Sequence, residues 1–141
     1  MVELILEESL AALAYCGVGI VLMAIGYLLV DVLTPGKLGT LIWVERNRNA
    51  AVLLASNLIG VALIVVAAIT ASEDGLASGL TSAAIYGLIG LVVMGIAFVL
   101  LDAITPGKLG HVLADSEPHP AVWVSAAVHI AVGLVVSAAL I

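Results

Sequence analysis

Apolar residues run in four long blocks, separated by short polar breaks that carry nearly every charge. Leu10 to Leu33 is free of charge until Asp31, and Ala50 to Ala71 has none. Leu80 to Ile104 has none until Asp102, and Ala121 to Ile141 has none. A helix needs roughly 20 apolar residues to cross a hydrocarbon core of about 30 Å. Each block meets that length, so the pattern predicts four transmembrane helices. Thr34-Pro35-Gly36 ends the first block, Thr105-Pro106-Gly107 the third, and Ser72-Glu73-Asp74-Gly75 separates the second from the third. Proline disfavours helix at the residue before it, and glycine permits the turn. Soluble core helices are the competing reading, but four such helices would have no polar face to show water.

The two halves of the chain match at a fixed offset of 71 residues. Asp31-Val32-Leu33-Thr34-Pro35-Gly36-Lys37-Leu38-Gly39 answers to Asp102-Ala103-Ile104-Thr105-Pro106-Gly107-Lys108-Leu109-Gly110. Tyr15, Gly19 and Met23 answer to Tyr86, Gly90 and Met94; Val61, Leu63 and Ala67 answer to Val132, Leu134 and Ala138. The reading is a single all-α membrane domain over residues 1–141, built from two parallel two-helix repeats at about 10–71 and about 80–141. An even number of spans per repeat returns the chain to its starting side. Both Thr-Pro-Gly-Lys-Leu-Gly loops therefore share one face, and the pseudo-symmetry axis runs along the membrane normal, unlike an inverted transporter repeat. At this offset His129 falls on Leu58, outside the duplicated pattern.

Composition supports the membrane reading. Hydrophobic residues make up 64% and charged residues 10%, against the roughly 25% charged that a soluble domain carries. The four basic residues, Lys37, Arg46, Arg48 and Lys108, all lie on the motif-loop face, while Glu3, Glu7, Glu8, Glu73 and Asp74 lie on the other. The positive-inside rule then places the motif loops in the cytoplasm and both termini outside. The first residues lack a basic region and the first block is too long for a cleavable signal, so it is expected to stay as a helix. A net charge of −6 gives no basic face for nucleic acid. One cysteine, Cys16, cannot form an internal disulfide.

A helix ending in Asp-x-x-Thr-Pro-Gly-Lys-Leu, present twice in a short four-span chain, resembles the bacterial membrane family known as domain of unknown function 350. Glu45, Asn49 and Ala50-Ala51 resemble that family's entrance to the second helix. Asp115-Ser116-Glu117-Pro118-His119-Pro120 departs from that entrance in the second half, so a role of Glu45 and Asn49 belongs to the first half. The resemblance implies an inner-membrane location and four spans, and no established activity.

The candidate functional residues are few. Asp31 and Asp102 sit near membrane depth, where acidic side chains are costly and face protein interior or water. They read either as a carboxylate pair for cations or protons, or as caps that bind backbone N–H groups of the turn or pair with Lys37 and Lys108. Thr34 and Thr105 read as N-caps of short interfacial segments, with Pro35 and Pro106 at the first helical position. His129 lies well inside the fourth span, on one helix face with Ser125, Gly133 and Ser137; Ser56 and Gly60, with Asn57 beside them, form a similar face in the second. The tyrosine–glycine–methionine stripes suit helix packing. His111, Asp115, Glu117 and His119 are metal-ligand types without a zinc spacing and read as a solvated loop. No catalytic triad, phosphate loop or dinucleotide fingerprint is present, so neither an enzyme nor a cofactor is expected.

Two functions compete on this reading. One is a membrane anchor or assembly subunit whose cytoplasmic loop, with Glu45, Arg46, Arg48 and Asn49, recruits a peripheral protein within a homo-oligomer or larger membrane complex. The other is a small oligomeric ion or proton pathway lined by Asp31, Asp102 and His129.

Overall fold

The computed structural model describes residues 1–72 and 75–141, so Glu73 and Asp74 of the predicted break lie outside the described residues. Four helices are long and apolar enough to cross a membrane. They are α1 (Val2–Leu33), α3 (Arg48–Thr70), α4 (Leu76–Ile104) and α6 (Pro120–Leu140), with short helices α2 (Leu38–Trp43) and α5 (Leu109–Ala114) in the two motif loops. The described residues form no strand, and the protein is an all-α, multi-pass transmembrane protein.

The observed spans extend the predicted ones at their N-terminal ends. α1 begins eight residues before Leu10 and takes in Glu3, Glu7 and Glu8. At 1.5 Å per residue its 32 residues reach about 48 Å, well past the hydrocarbon core. The α1 helix ends at Thr34, whose N–H still bonds to Val30 O at 2.9 Å before Pro35 forbids another turn. Thr105 closes α4 in the same way on Leu101 O, at 3.0 Å. The two threonines are therefore C-caps of the long helices. Lys37 and Lys108 hold the N-cap positions of α2 and α5, and the sequence expectation of threonine N-caps is corrected. The prolines lie three residues before the first helical positions, in the bend or turn that follows each span.

The bundle is centred on α3 and α6. Both begin on the motif-loop face, and they run parallel in backbone contact. A Cβ placed on Gly133 would lie 2.6 Å from Gly60 Cα and 2.9 Å from Gly60 O. No side chain could sit between the helices at this crossing, which is the use of small residues inside membranes. Around this pair, Leu22 of α1 fills the space beside Gly87, and Ile64 fills that beside Gly90 of α4. Leu22, Val61, Ile64, Leu91 and Met94 form one buried cluster toward the face opposite the motif loops. Val30, Leu38, Leu53, Phe98, Leu113 and Val122 form another near the motif loops. The α1 helix is the least enclosed, with exposed apolar residues from Leu4 to Val32.

The buried faces of α3 and α6 align at an offset of 72, one more than the motifs. Ala50, Leu53, Asn57, Val61, Ile64 and Val65 are buried, and so are Val122, Ser125, His129, Gly133, Val136 and Ser137, each 72 residues later. The N-caps follow the same count: Asn47 accepts the Ala50 N–H and His119 Nδ1 accepts the Ala121 N–H. The second motif loop is one residue longer before its helix starts. In the folded chain His129 thus takes the place that Asn57 holds in α3, which corrects its pairing with Leu58.

Candidate functional site

Polar residues gather in two places. The first is the motif-loop face, where the two halves are stitched together by Asn47 and Asn49. Asn47 Nδ2 donates to Leu113 O at 2.7 Å and Asp115 O at 3.1 Å, while its Oδ1 caps α3. Asn49 Nδ2 donates to Glu117 O at 2.7 Å and Asp115 O at 3.1 Å, and its Oδ1 accepts the His119 N–H at 3.1 Å. In both amides every nitrogen partner is a carbonyl and every oxygen partner an N–H, so the network fixes the amide orientation. Both side chains are buried. They satisfy carbonyls at the end of α5 and in the irregular segment that follows it, which would otherwise be costly to hide.

This knot sets the exposed loop between α2 and α3. Glu45 N–H bonds back to Thr40 O and Asn47 N–H to Leu41 O, at 3.1 and 2.8 Å. Arg46 between them is held at φ 53°, a left-handed conformation that costs a non-glycine residue roughly 1–2 kcal/mol. Glu45, Arg46 and Arg48 point outward, whereas Asn49 is turned inward. Of the four residues expected to form an interaction loop, Asn49 instead anchors it. Asn47, which does the same work, escaped the sequence reading; its signal was an Asn-x-x-Ala start at the head of an apolar run. Trp43, 81% exposed, and Trp123 stand near this face, where indole rings suit the boundary between lipid and water. Lys37 and Lys108 are also exposed, the latter with φ 55°.

Asp31 ends α1 half-buried, and its Oδ1 accepts the Leu38 N–H at 2.7 Å. The carboxylate thus caps the start of α2, one of the two roles its position allowed. Asp102 occupies the matching place at the end of α4, also half-buried.

The second polar place is the seam between α3 and α6. Ser56, Asn57, Ser125, His129 and Ser137 are all buried there. The serines donate to carbonyls of their own helices. His129 Nδ1 lies 2.6 Å from Ser125 O; a carbonyl only accepts, so Nδ1 carries the proton of the neutral ring and Nε2 is left as a lone pair. The ring stacks at a tilt on Phe98, with centroids 5.1 Å apart. His129 Nε2 and Asn57 Nδ2 are buried without a hydrogen-bond partner, as is Thr34 Oγ1.

Comparison with known proteins agrees with this architecture. The family model described as Domain of Unknown Function (DUF350) matches residues 3–140. The chain belongs to the DUF350 family. It is 38% identical over 136 residues to a UPF0719 transmembrane protein of Mycobacterium bovis, covering 96% of this chain and 90% of the relative. A UPF0719 transmembrane protein of Mycobacterium tuberculosis matches to the same extent. One from Mycolicibacterium paratuberculosis is 33% identical over 135 residues, covering 96% of this chain and 89% of the relative. No solved structure matches. For DUF350 the shared character is that of an uncharacterised transmembrane family, and the residues above carry any finer statement.

Proposed function

We propose that this DUF350 chain is a membrane anchor or assembly subunit of the bacterial inner membrane, which recruits a peripheral protein with an acidic surface to its cytoplasmic loop. The observation that carries the reading is the Asn47–Asn49 knot. Two buried amides bind the second motif loop and thereby fix the backbone that presents Arg46 and Arg48 outward. A rigid, exposed cationic edge loses little conformational freedom when it docks, and preorganisation of this kind is worth affinity. All four basic residues lie on this face, which favours the cytoplasmic side for the motif loops.

An ion or proton pathway is the competing reading. It loses support from Asp31, one of whose carboxylate oxygens is engaged by the Leu38 N–H. If His129 lines it, the pathway must also pass the seam where α3 and α6 meet backbone to backbone.

The test is recovery of partners by the affinity-tagged chain from bacterial membranes, wild type against Arg46→Glu with Arg48→Glu. The expected result is a soluble protein recovered with wild type and lost from the double variant. Equal recovery from both rejects the docking edge. Flux of ions or protons in proteoliposomes, abolished by Asp31→Asn with Asp102→Asn, would favour the pathway instead.

A further inference from the structure

Two unpartnered buried side chains stand in the middle of the α3–α6 seam. Asn57 is nine residues into α3 and His129 nine residues into α6. The starts of these helices are tied together by the bond from His119 N–H to Asn49 Oδ1, so the two side chains lie at the same depth. At 1.5 Å per residue that depth is about 13.5 Å from the helix starts, near the middle of a hydrocarbon core of about 30 Å. Both residues lie on the face that packs helix on helix, three and four residues before the Gly60–Gly133 contact. The His129 carbonyl stands 3.1 Å from where a Cβ of Gly60 would be. The ring is held by Nδ1 against Ser125 O of its own helix, and side chains in both helices lean toward the helix starts, so His129 and Asn57 remain at one level.

The two side chains bring complementary unmet demands to this level. Asn57 is 2% exposed and offers an amide donor, Nδ2; His129 is 1% exposed and offers a lone pair, Nε2. Leaving either group unpaired at membrane depth is expensive, because neither lipid nor neighbouring side chains can replace water. Neither bonds to the other. What answers both is one molecule that accepts from Nδ2 and donates to Nε2.

The surroundings select the class of that molecule. The neighbours include the Phe98 ring and the Met94 thioether from α4, Gly60 and Ser56 from α3, and Ser125 from α6, all uncharged. The charged side chains of the spans stand at their ends: Glu3, Glu7 and Glu8 in α1, Arg48 at the start of α3, and Asp31 and Asp102 beside the motif loops. An ion at mid-depth would find no counter-charge, so the guest is neutral. The helices meet backbone to backbone within one turn of Asn57 and His129, and so close an approach favours the smallest member of the class, water. We propose that the α3–α6 seam is a water-binding site, in which Asn57 Nδ2 donates to the bound water and the water donates to His129 Nε2. Buried waters of this kind take two to four bonds and belong to the fold. This site is independent of the docking edge and stands or falls without it.

The direct test is solid-state NMR on the full chain in lipid bilayers, with ¹⁵N-labelled asparagine and histidine and ¹³C-labelled phenylalanine, reading transfer of magnetisation from water. Transfer reaching His129 Nε2 and the Asn57 amide well before the Phe98 ring is the expected result. Equal, slow transfer to all three overturns the proposal. Replacing Asn57 by leucine gives a second reading whose sign decides. With a water held there, Asn57→Leu removes one arm of a satisfied network and lowers Tm by about 3 °C or more. With no water, the substitution removes an unpaired donor and raises Tm, and the proposal is wrong. Should the leucine variant fail to fold, the NMR on wild-type protein decides alone.

Discussion

Gly133→Ala should be a strongly damaging single-methyl change at the centre of the bundle. The added Cβ would lie 2.6 Å from Gly60 Cα and 2.9 Å from Gly60 O, both backbone atoms that no rotamer change can move. Carbon atoms in favourable contact stand about 3.5–4.0 Å apart. Restoring that distance requires α3 and α6 to separate by about 1 Å. A gap of that size forfeits a quarter to a half of the attraction of each atom pair across the seam. Overpacking of this kind costs about 1–3 kcal/mol, and a backbone-on-backbone clash belongs at the upper end. Against it stands the gain of about 0.5–1 kcal/mol from replacing a helical glycine by alanine. The expected net loss is about 2 kcal/mol. Gly17→Ala supplies the control, because a Cβ there meets nothing within 4 Å and the same helical gain goes unopposed. Gly60→Ala should fall between, since its nearest obstacle is the flexible tip of Met94, 2.5 Å away. Reversible unfolding in mixed micelles, followed by helical circular dichroism, ranks the three variants. A Gly133→Ala protein as stable as Gly17→Ala would refute the close seam and the core built on it.

Other expectations follow from the same geometry. Asn49→Ala removes bonds to Asp115 O, Glu117 O and the His119 N–H, and should cost about 2–3 kcal/mol; faster hydrogen exchange at the His119 amide would report the loosened knot, and unchanged exchange there would count against it. Asp31→Ala should lose a helix cap of about 1 kcal/mol while Asp31→Asn, which keeps an acceptor for the Leu38 N–H, loses much less; equal losses in unfolding measurements would show that the charge, not the cap, matters. Arg46→Gly should raise stability by roughly 1 kcal/mol, because it releases a residue held at φ 53°. A stability decrease would mean that the arginine side chain holds the loop.

The four spans and their breaks were legible because an apolar block of about 20 residues has few other solutions. The capping role of Asp31 was legible as one of two choices, since an acid seven residues before Leu38 can reach a free N–H. The inward faces were not legible. Lipid is as apolar as the core, so Leu22 inside and Val21 outside look alike in sequence, and only small residues such as Gly60 and Gly133 hint at contact. The same uniformity hid the true register of α3 against α6. Alanine, valine and leucine match at many offsets, so the motif offset carried into α6 pairs Val61 with Val132 while burial pairs it with Gly133. The cap positions failed for a different reason. Threonine followed by proline fits a helix start, but here backbone bonds to Val30 and Leu101 had already claimed both threonines as helix ends.

The proposed docking edge is tested most directly by a photocrosslinking amino acid placed at Arg46 in the chain expressed in living bacteria, with Arg48 either kept or changed to Glu. A discrete crosslink to one soluble protein from the cytoplasm, lost when Arg48 becomes Glu, is expected of a docking edge here. Crosslinks to lipid alone, to periplasmic proteins, or to a soluble partner whose yield ignores Arg48 would contradict it.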